Sequence, residues 1–432
     1  MQRNRYLSDI LSTLFDRRRA TRSDDDPRDT TDLCHALLSQ EGEVSGLKLA
    51  EVILARYRGF DEAAKLAFFQ FINDALDIDA AHLAQVAQSY AETGSTKDYA
   101  RLFGAATGQR RRLLRRLNQP SGATADLVSM RVDLLRLIRT NPDLKRTDLD
   151  FALLLRSWFN VGFLVLRQID WMAPAALLDK IVAYEAVHEI DDLDDLRRRL
   201  SPPDRRCFAF FHPAMPDEPL IFVEVALADH IPGSVDAVLS DGREPLLPEN
   251  ARAAVFYSIS NCQEGLKGIS FGNLLIKQVV RQLSVELPQL SDFVTLSPLP
   301  LFNTWLADQT EDPIHGAVAS AILAGTAGQE GTRVMAARYL LDGKDKNGAP
   351  FDPVARFHLG NGAEVHDVHA NADSSANGLA QSSGAMVNYL YDLGQVERNH
   401  EDFALRGQIT TSRSVRALAR TPFKAKSWQQ AS

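Results

Sequence analysis

From about Thr31 to Asp150 the apolar positions recur at helical spacing. Leu49, Val52 and Ile53 share one face, and so do Leu66, Phe69, Ile72 and Leu76. Asp61 and Ser95 stand where N-caps are expected, Ser95 with Asp98 three residues on. Gly59, Gly94, Gly104, Gly108 and Pro120-Ser-Gly122 punctuate the pattern. No stretch here alternates as a strand does. This half predicts an all-α module, preceded by residues 1–27, which read as frayed or linker-like.

At Trp158 the texture changes. Gly162–Trp171 reads as a strand. Pro174 opens a helix through Val187, and Asp191–Leu200 forms a second, stopped by Pro202-Pro203. Cys207–Phe211 and Leu220–Leu227 are strands around His212-Pro-Ala-Met-Pro216. Ala253–Ile259 is an apolar strand, followed by a glycine loop. An amphipathic helix with Leu274, Leu275, Val279 and Leu283 comes next, and then an apolar run ending at Ser297-Pro298. Asn303–Leu341 is mostly helical, Val354–His369 alternates as one or two strands would, and Ser382–Leu393 completes the sheet. The order β-α-α-β-β-β-α-β-α-β-β implies a mixed α/β sheet. The expected division is a helical domain over 1–157 and an α/β domain over 158–432.

Composition narrows the class. At 432 residues two domains are the default, and 45% hydrophobic with 24% charged residues is ordinary for a soluble globular chain. A net charge of −8 argues against broad nucleic-acid binding. The basic run Arg110–Arg116 therefore reads as the solvated or interface side of a helix whose other face holds Leu113, Leu114 and Leu117. Cys34, Cys207 and Cys262 are too few and scattered for a disulfide framework or a cysteine zinc site, which points to a reducing compartment. No apolar run reaches the ~20 residues of a membrane span. Met1–Pro27 has Arg17-Arg18-Arg19 but also Asp9, Asp16 and Asp24-Asp25-Asp26, and it lacks a signal-peptide core. Trp428–Ser432 carries no peroxisomal address. The expectation is a cytoplasmic protein without a membrane or nucleic-acid partner.

The loop between the Ala253–Ile259 strand and the helix after it is Gln263-Glu264-Gly265-Leu266-Lys267-Gly268. It has neither the G-K-[ST] ending of a P-loop nor the spacing of a dinucleotide fingerprint. Glycines there let backbone N–H groups approach an anion ahead of a helix N-terminus, a seat suited to a pyrophosphate; they also serve simply to turn a strand into a helix. The Q-x-G-x-x-G pattern resembles the acyl-CoA pyrophosphate loop of the GNAT superfamily, whose usual form is Q-x-x-G-x-G, so the glycine spacing departs. The order of elements resembles the GNAT fold independently. Lys267 and Lys277 are secondary phosphate contacts, ranked below the loop because lysines are commonly solvated surface charges.

Several stretches together resemble the malonyl-CoA decarboxylase family. They are Trp158-Phe-Asn-Val-Gly-Phe163, Tyr184-Glu-Ala-Val-His188, Arg205-Arg-Cys-Phe208, Glu218–Leu227, Phe256–Gln263, Gly272–Lys277, Leu296-Ser-Pro298, Phe357-His-Leu-Gly-Asn-Gly362 and Gly384–Tyr391. The resemblance covers the α/β half closely and the helical half loosely. It implies an N-terminal helical domain used in oligomer assembly, as dimer or tetramer, and a GNAT-like catalytic domain. It further implies cleavage of malonyl-CoA to acetyl-CoA and CO₂ with no metal or organic cofactor, CoA being part of the substrate. The family's catalytic serine maps onto Ser297, its histidine onto His358, and an active-site tyrosine onto Tyr391. Some relatives carry a carboxylate where Ser270 stands; here that acid is dispensable or is supplied by Glu224 or Asp217.

Losing CO₂ from a malonyl thioester leaves an enolate that must be protonated at carbon, so a site needs a CoA anchor, a seat for the carboxylate and a proton donor. Ser297 can bond the carboxylate or His358, or merely cap a strand end. His358 titrates near neutrality as a proton donor, or is a core histidine on an apolar strand. His366, Asp367, His369 and Asp373 suggest a metal cluster, but neighbours on a strand point to opposite faces, and no metal is expected. Asn361 between Gly360 and Gly362 reads as a turn. Two other functions stay open: transfer of an acyl group from CoA to an amine, which shares the phosphate loop, and a non-catalytic acyl-CoA sensor or assembly scaffold whose functional part is the helical half.

Overall fold

The computed structural model describes residues 26–39, 43–269 and 272–422. The stretch expected to be frayed, save for its last two residues, lies outside these bounds, as do Ser270 and Trp428–Ser432. Two compact units emerge. One is Met1–Leu164 together with His212–Pro216 and Gln263–Ile269; the other is Val165–Phe211, Asp217–Cys262 and Ser270–Ser432.

In the first unit the helical reading is realised as α1 (Thr30–Ser39), α2 (Glu43–Arg58), α3 (Glu62–Asp74), α4 (Ala80–Thr93), α5 (Thr96–Leu117), α6 (Ala123–Leu137) and α7 (Lys145–Trp158). Asp61 caps α3 by accepting from the Ala64 N–H at 2.8 Å, and Ser95 caps α5 by accepting from that of Asp98 at 3.1 Å. Gly108, with φ 67°, breaks the middle of α5. Phe69, Ile72, Leu113, Leu117, Leu127 and Leu155 are fully buried. The basic run differs from expectation at its start. Arg110 turns inward, where it meets Asp77 at 2.9 Å and Asp150 at 2.7 Å. A buried guanidinium needs such partners, and here they knit α5 to α7 and to the end of α3.

The second unit is built on a seven-stranded mixed sheet in the order β1-β2-β3-β4-β5-β7-β6. Its strands are β1 (Val165–Ile169), β2 (Arg205–His212), β3 (Met215–Ala228), β4 (Ala253–Asn261), β5 (Asp292–Pro298), β6 (Glu364–His369) and β7 (Met386–Leu390). The helices between and after them are α8 (Ala175–Tyr184), α9 (Leu193–Leu200), α10 (Val235–Leu239), α11 (Gly272–Glu286), α12 (Phe302–Gln309), α13 (Gly316–Leu323), α14 (Gln329–Asp342), α15 (Pro353–Gly360), α16 (Ala376–Ser382), α17 (Val396–Arg406) and α18 (Arg413–Ala419). α17 and α18, after the last strand, were not anticipated.

Two features of this sheet position the chemistry. β4 and β5 are its parallel pair, and they are in register only over Ala253–Phe256 and Asp292–Thr295. The outer halves of both strands, with Ser297 on one of them, lie past that register at the carboxyl ends, where parallel sheets hold ligands. The second feature is a bulge that sets Tyr257 out of register, Glu224 pairing with Ser258 and Val225 with Phe256. Val255, Tyr257, Val294, Leu296 and Met386 share a core on one face. By the period of two, Thr295, Ser297, Val387 and Tyr389 belong to the other.

The alternation of Val354–His369 is misleading. Only Glu364–His369 is a strand, and the first half is α15. Asp352 and Pro353 decide this: the Asp352 carboxylate accepts from the N–H groups of Val354 at 2.8 Å and Ala355 at 2.9 Å, and Pro353 fills the first helical position. His358 therefore sits on a helix rather than on an apolar strand. Among the described residues no helix is long and apolar enough to cross a membrane.

Candidate active site

Ser297, His358 and Tyr391 come together from three elements. Ser297 is next to last on β5, His358 lies in the last turn of α15, and Tyr391 follows β7 directly, its N–H paired with the Phe293 carbonyl at 2.8 Å. The Ser297 hydroxyl oxygen is 3.2 Å from Nε2 of His358, and Nδ1 of His358 is 2.8 Å from the Tyr391 hydroxyl. Ser297 also donates to the Thr295 hydroxyl at 2.9 Å. All three predicted residues are at most 5% exposed, so the line of hydrogen bonds is shielded from water.

Burial sets the protonation of this line. His358 is pushed down to about 3, so its imidazole is neutral at physiological pH and does not titrate near neutrality as expected. Its place in the last turn of a helix favours the cation, but weakly, and burial outweighs it. Burial likewise raises the Tyr391 phenol above its ordinary value and keeps it un-ionised.

α15 is anchored far more firmly than a short helix would be alone. Asp352 accepts from the Tyr339 hydroxyl at 2.8 Å as well as capping the helix. Tyr339 packs in turn against Phe302 and Trp305 at ring separations of 5.4 and 5.3 Å. Two buried donors beside the line, the Tyr389 hydroxyl and Nδ2 of Asn361, have no partner among the described residues. Asn361 lies next to Tyr391, in the turn that Gly362 closes with φ +86°. Thr295 and Tyr389 were not singled out from sequence, and Asn361 was read only as part of a turn. Thr295 and Tyr389 were within reach of it, each standing two residues before a candidate.

The glycine loop belongs to the helical unit and has its own logic. Gly265 is buried against α6: a Cβ there would come 2.0 Å from the Val128 carbonyl oxygen. Arg131 of α6 donates to the Gly265 and Lys267 carbonyls, at 2.9 Å each, and pairs with Asp148 of α7 at 2.7 Å. The N–H groups of Leu266, Lys267 and Ile269 close turns onto Gln263, Glu264 and Leu266. Glycine at 265 thus meets a helix rather than a ligand. Lys267 and Gly268, with φ +82°, form the exposed side; Leu266 is buried and Gln263 half-buried. Lys277 and Asp217 are exposed.

Glu224 is wholly buried on the opposite sheet face from Ser297. Burial raises its carboxyl to about 8, with Glu185 nearby adding to the effect and Arg199, 3.4 Å away, opposing it. The histidines near the end of the sheet are drawn to separate partners: His366 to Glu364, Asp367 to Arg333, and His369 to Asn388 at 2.5 Å. Asp373 receives the Ser375 N–H at 3.0 Å.

A family model described as the malonyl-CoA decarboxylase C-terminal domain matches residues 162–430, and the corresponding N-terminal domain matches 76–159. The chain is 32% identical over 357 residues to a mitochondrial malonyl-CoA decarboxylase of Rattus norvegicus, covering 74% of this chain and 72% of that protein. It is 33% identical over 350 residues to that of Anser anser anser, covering 72% and 69%. Among solved structures, malonyl-CoA decarboxylase from Rhodopseudomonas palustris superposes with a TM-score of 0.84 at 46% identity, covering 92% of this chain and 100% of that one. The enzyme from Agrobacterium vitis gives 0.84 at 44%, covering 91% and 100%.

Proposed function

Because this chain belongs to the malonyl-CoA decarboxylase family and is a carbon–carbon lyase that converts malonyl-CoA to acetyl-CoA and CO₂, we propose that Ser297, His358 and Tyr391 form its catalytic line. The observation that carries this is the continuous hydrogen bonding from Ser297 through both nitrogens of His358 to Tyr391, all buried.

In this reading the Ser297 hydroxyl binds the malonyl carboxylate. The bond between that carboxyl and the methylene carbon breaks, CO₂ departs, and its electron pair passes into the thioester as an enolate. Donors already in place when charge reaches the thioester oxygen stabilise it without reorganisation. The unpartnered Tyr389 hydroxyl and Asn361 amide are suited to that role. The enolate carbon then takes one proton to give the acetyl thioester. His358, being neutral, does not give that proton as an imidazolium. It orients the Ser297 hydroxyl and, with Tyr391, passes on the proton delivered through Ser297 or an adjacent water, the proton coming ultimately from solvent.

The exposed side of the Gln263–Gly268 loop holds the CoA pyrophosphate, with Lys267 as a secondary contact. No step calls for a metal or organic cofactor. Self-association through the helical unit and a cytoplasmic setting complete the proposal; the three unpaired, buried cysteines suit a reducing compartment.

The test is release of labelled CO₂ from carboxyl-labelled malonyl-CoA by wild type, Ser297→Ala and His358→Asn. A fall in kcat of about 10²–10⁴ in both variants, with CoA binding intact, is expected for groups that steer proton transfer. Undiminished release from either variant removes that residue from the line.

A further inference from the structure

Arg205 opens β2 and is only 6% exposed. Its Nη2 donates to the Val238 carbonyl, and the guanidinium stands 5.7 Å from the Tyr257 ring centroid. Among the described residues no carboxylate pairs with it, and its Nε–H has no acceptor. A buried, unpaired guanidinium is costly unless something else meets it.

Its neighbours do not supply the missing charge. Arg198 is held by Asp241 at 2.9 Å, Arg199 by Asp195 at 2.8 Å, and Arg243 by Asp204 at 2.9 Å. The remaining carboxyl of the group, Glu224, lies 3.4 Å from Arg199. Of these four guanidiniums, Arg205 alone has no carboxylate partner among the described residues. Arg205, Arg198, Arg199 and Arg243 line a cavity of about 60 Å³, together with Asp195 and Asp241. At roughly 10–15 Å³ for each water-sized group, that volume takes four to six heavy atoms. A tetrahedral or planar oxyanion fits; a nucleotide does not. The half-exposed side chain of Arg198 gives it an entrance.

This cavity lies where β2 and β4 begin, whereas Ser297 stands where β5, parallel to β4, ends. It is separate from the catalytic line. We propose that it is a binding site for a small oxyanion of the phosphate class, held by the free donors of Arg205 and closed by Arg198 at its rim. An occupant would also brace the Arg205–Tyr257 contact, and so the bulge in β4.

Inorganic phosphate is the probe. Thermal melting of the whole chain is followed against phosphate, and against potassium chloride of equal ionic strength, with CoA present at saturation to fill the substrate's own phosphate seat. Ligand binding to the folded state raises the midpoint saturably. Wild type should show that rise with phosphate beyond chloride. Arg205→Met should lose it, and Arg198→Gln should weaken the apparent affinity on the order of tenfold, as expected for loss of a charge-assisted contact. Should Arg205→Met not fold, Arg198→Gln and equilibrium dialysis of radiolabelled phosphate decide. Equal effects of phosphate and chloride on wild type, or a phosphate affinity unchanged in the variants, overturn the proposal. None of these readings depends on turnover, so they stand apart from any failure of the catalytic assignment.

Discussion

The imidazole of His358 lies almost flat on the ring of Tyr389, with centroids 4.5 Å apart and planes inclined by 23°. The stack fixes the plane of the imidazole, and fixing the plane aims Nε2 at Ser297 and Nδ1 at Tyr391 together. Small misplacements of catalytic groups are expensive. Tyr389→Leu, which removes the stack, should lower kcat about tenfold or more. Tyr389→Phe keeps the ring and removes only the donor offered to the enolate, so its kcat should fall too, but by less than that of Tyr389→Leu, which loses both. Steady-state CO₂ release from the two variants checks this.

Acid should weaken the fold through His358. Its folded value is about 3 against 6.5 unfolded, so between these limits the unfolded chain binds the extra proton. The stabilising contribution of the neutral ring is complete above 6.5 and is lost as pH falls toward 3, by about 1.4 kcal/mol per pH unit. His358→Asn should therefore show a shallower loss of melting temperature over that window than wild type. Identical slopes would mean that the ring is not held neutral.

Glu224 should act in the other direction. Its carboxyl is raised from 4.5 to about 8 in the folded state, chiefly by burial. Here the folded chain binds the extra proton, so this contribution is full below 4.5 and erodes as pH climbs to 8. Glu224→Gln, which cannot ionise, should flatten the fall of melting temperature on the alkaline side and gain relative to wild type as pH rises. Parallel curves would contradict it.

Gly265 offers a test of the loop. A methyl group there must displace the Val128 carbonyl or the turn itself. Gly265→Ala should cost about 1–3 kcal/mol in stability, as overpacking does, and should raise KM for malonyl-CoA more than it lowers kcat if the loop holds the pyrophosphate. Denaturant unfolding and steady-state kinetics measure the two effects separately; an unchanged KM in a destabilised variant would separate the loop from CoA.

Much of this architecture was legible in the residues. Strand alternation places Thr295 and Ser297 on one face, and the caps at Asp61 and Ser95 form as their side chains suggest. What misled was local ambiguity. Val354–His369 alternates well enough for a strand, but Asp352-Pro353 is a helix start, and a cap that also binds the Tyr339 hydroxyl outweighs the pattern. Gly265 suggested a ligand because periodicity cannot say which backbone approaches a glycine; in the fold it is that of α6. The neutrality of His358 was also out of reach, because it arises from the burial of a whole side chain by residues distant in sequence.

Ser297 and the side chains around it, Thr295, His358, Asn361, Tyr389 and Tyr391, carry no formal charge at neutral pH. A malonyl group bound against Ser297 would thus bring its own anion among side chains that, as far as the described residues go, offer hydrogen bonds but no counter-ion. That anion is better off in water, and the reaction is its one way to disperse: CO₂ leaves uncharged and the electron pair spreads over the thioester. Affinity for the carboxylate and speed of its loss are consequently opposed. A cation introduced at Thr295 would grip malonyl-CoA more tightly and release CO₂ more slowly, lowering KM and kcat together. Such a lining would act as a poor solvent for a carboxylate, and a poor solvent hastens its departure.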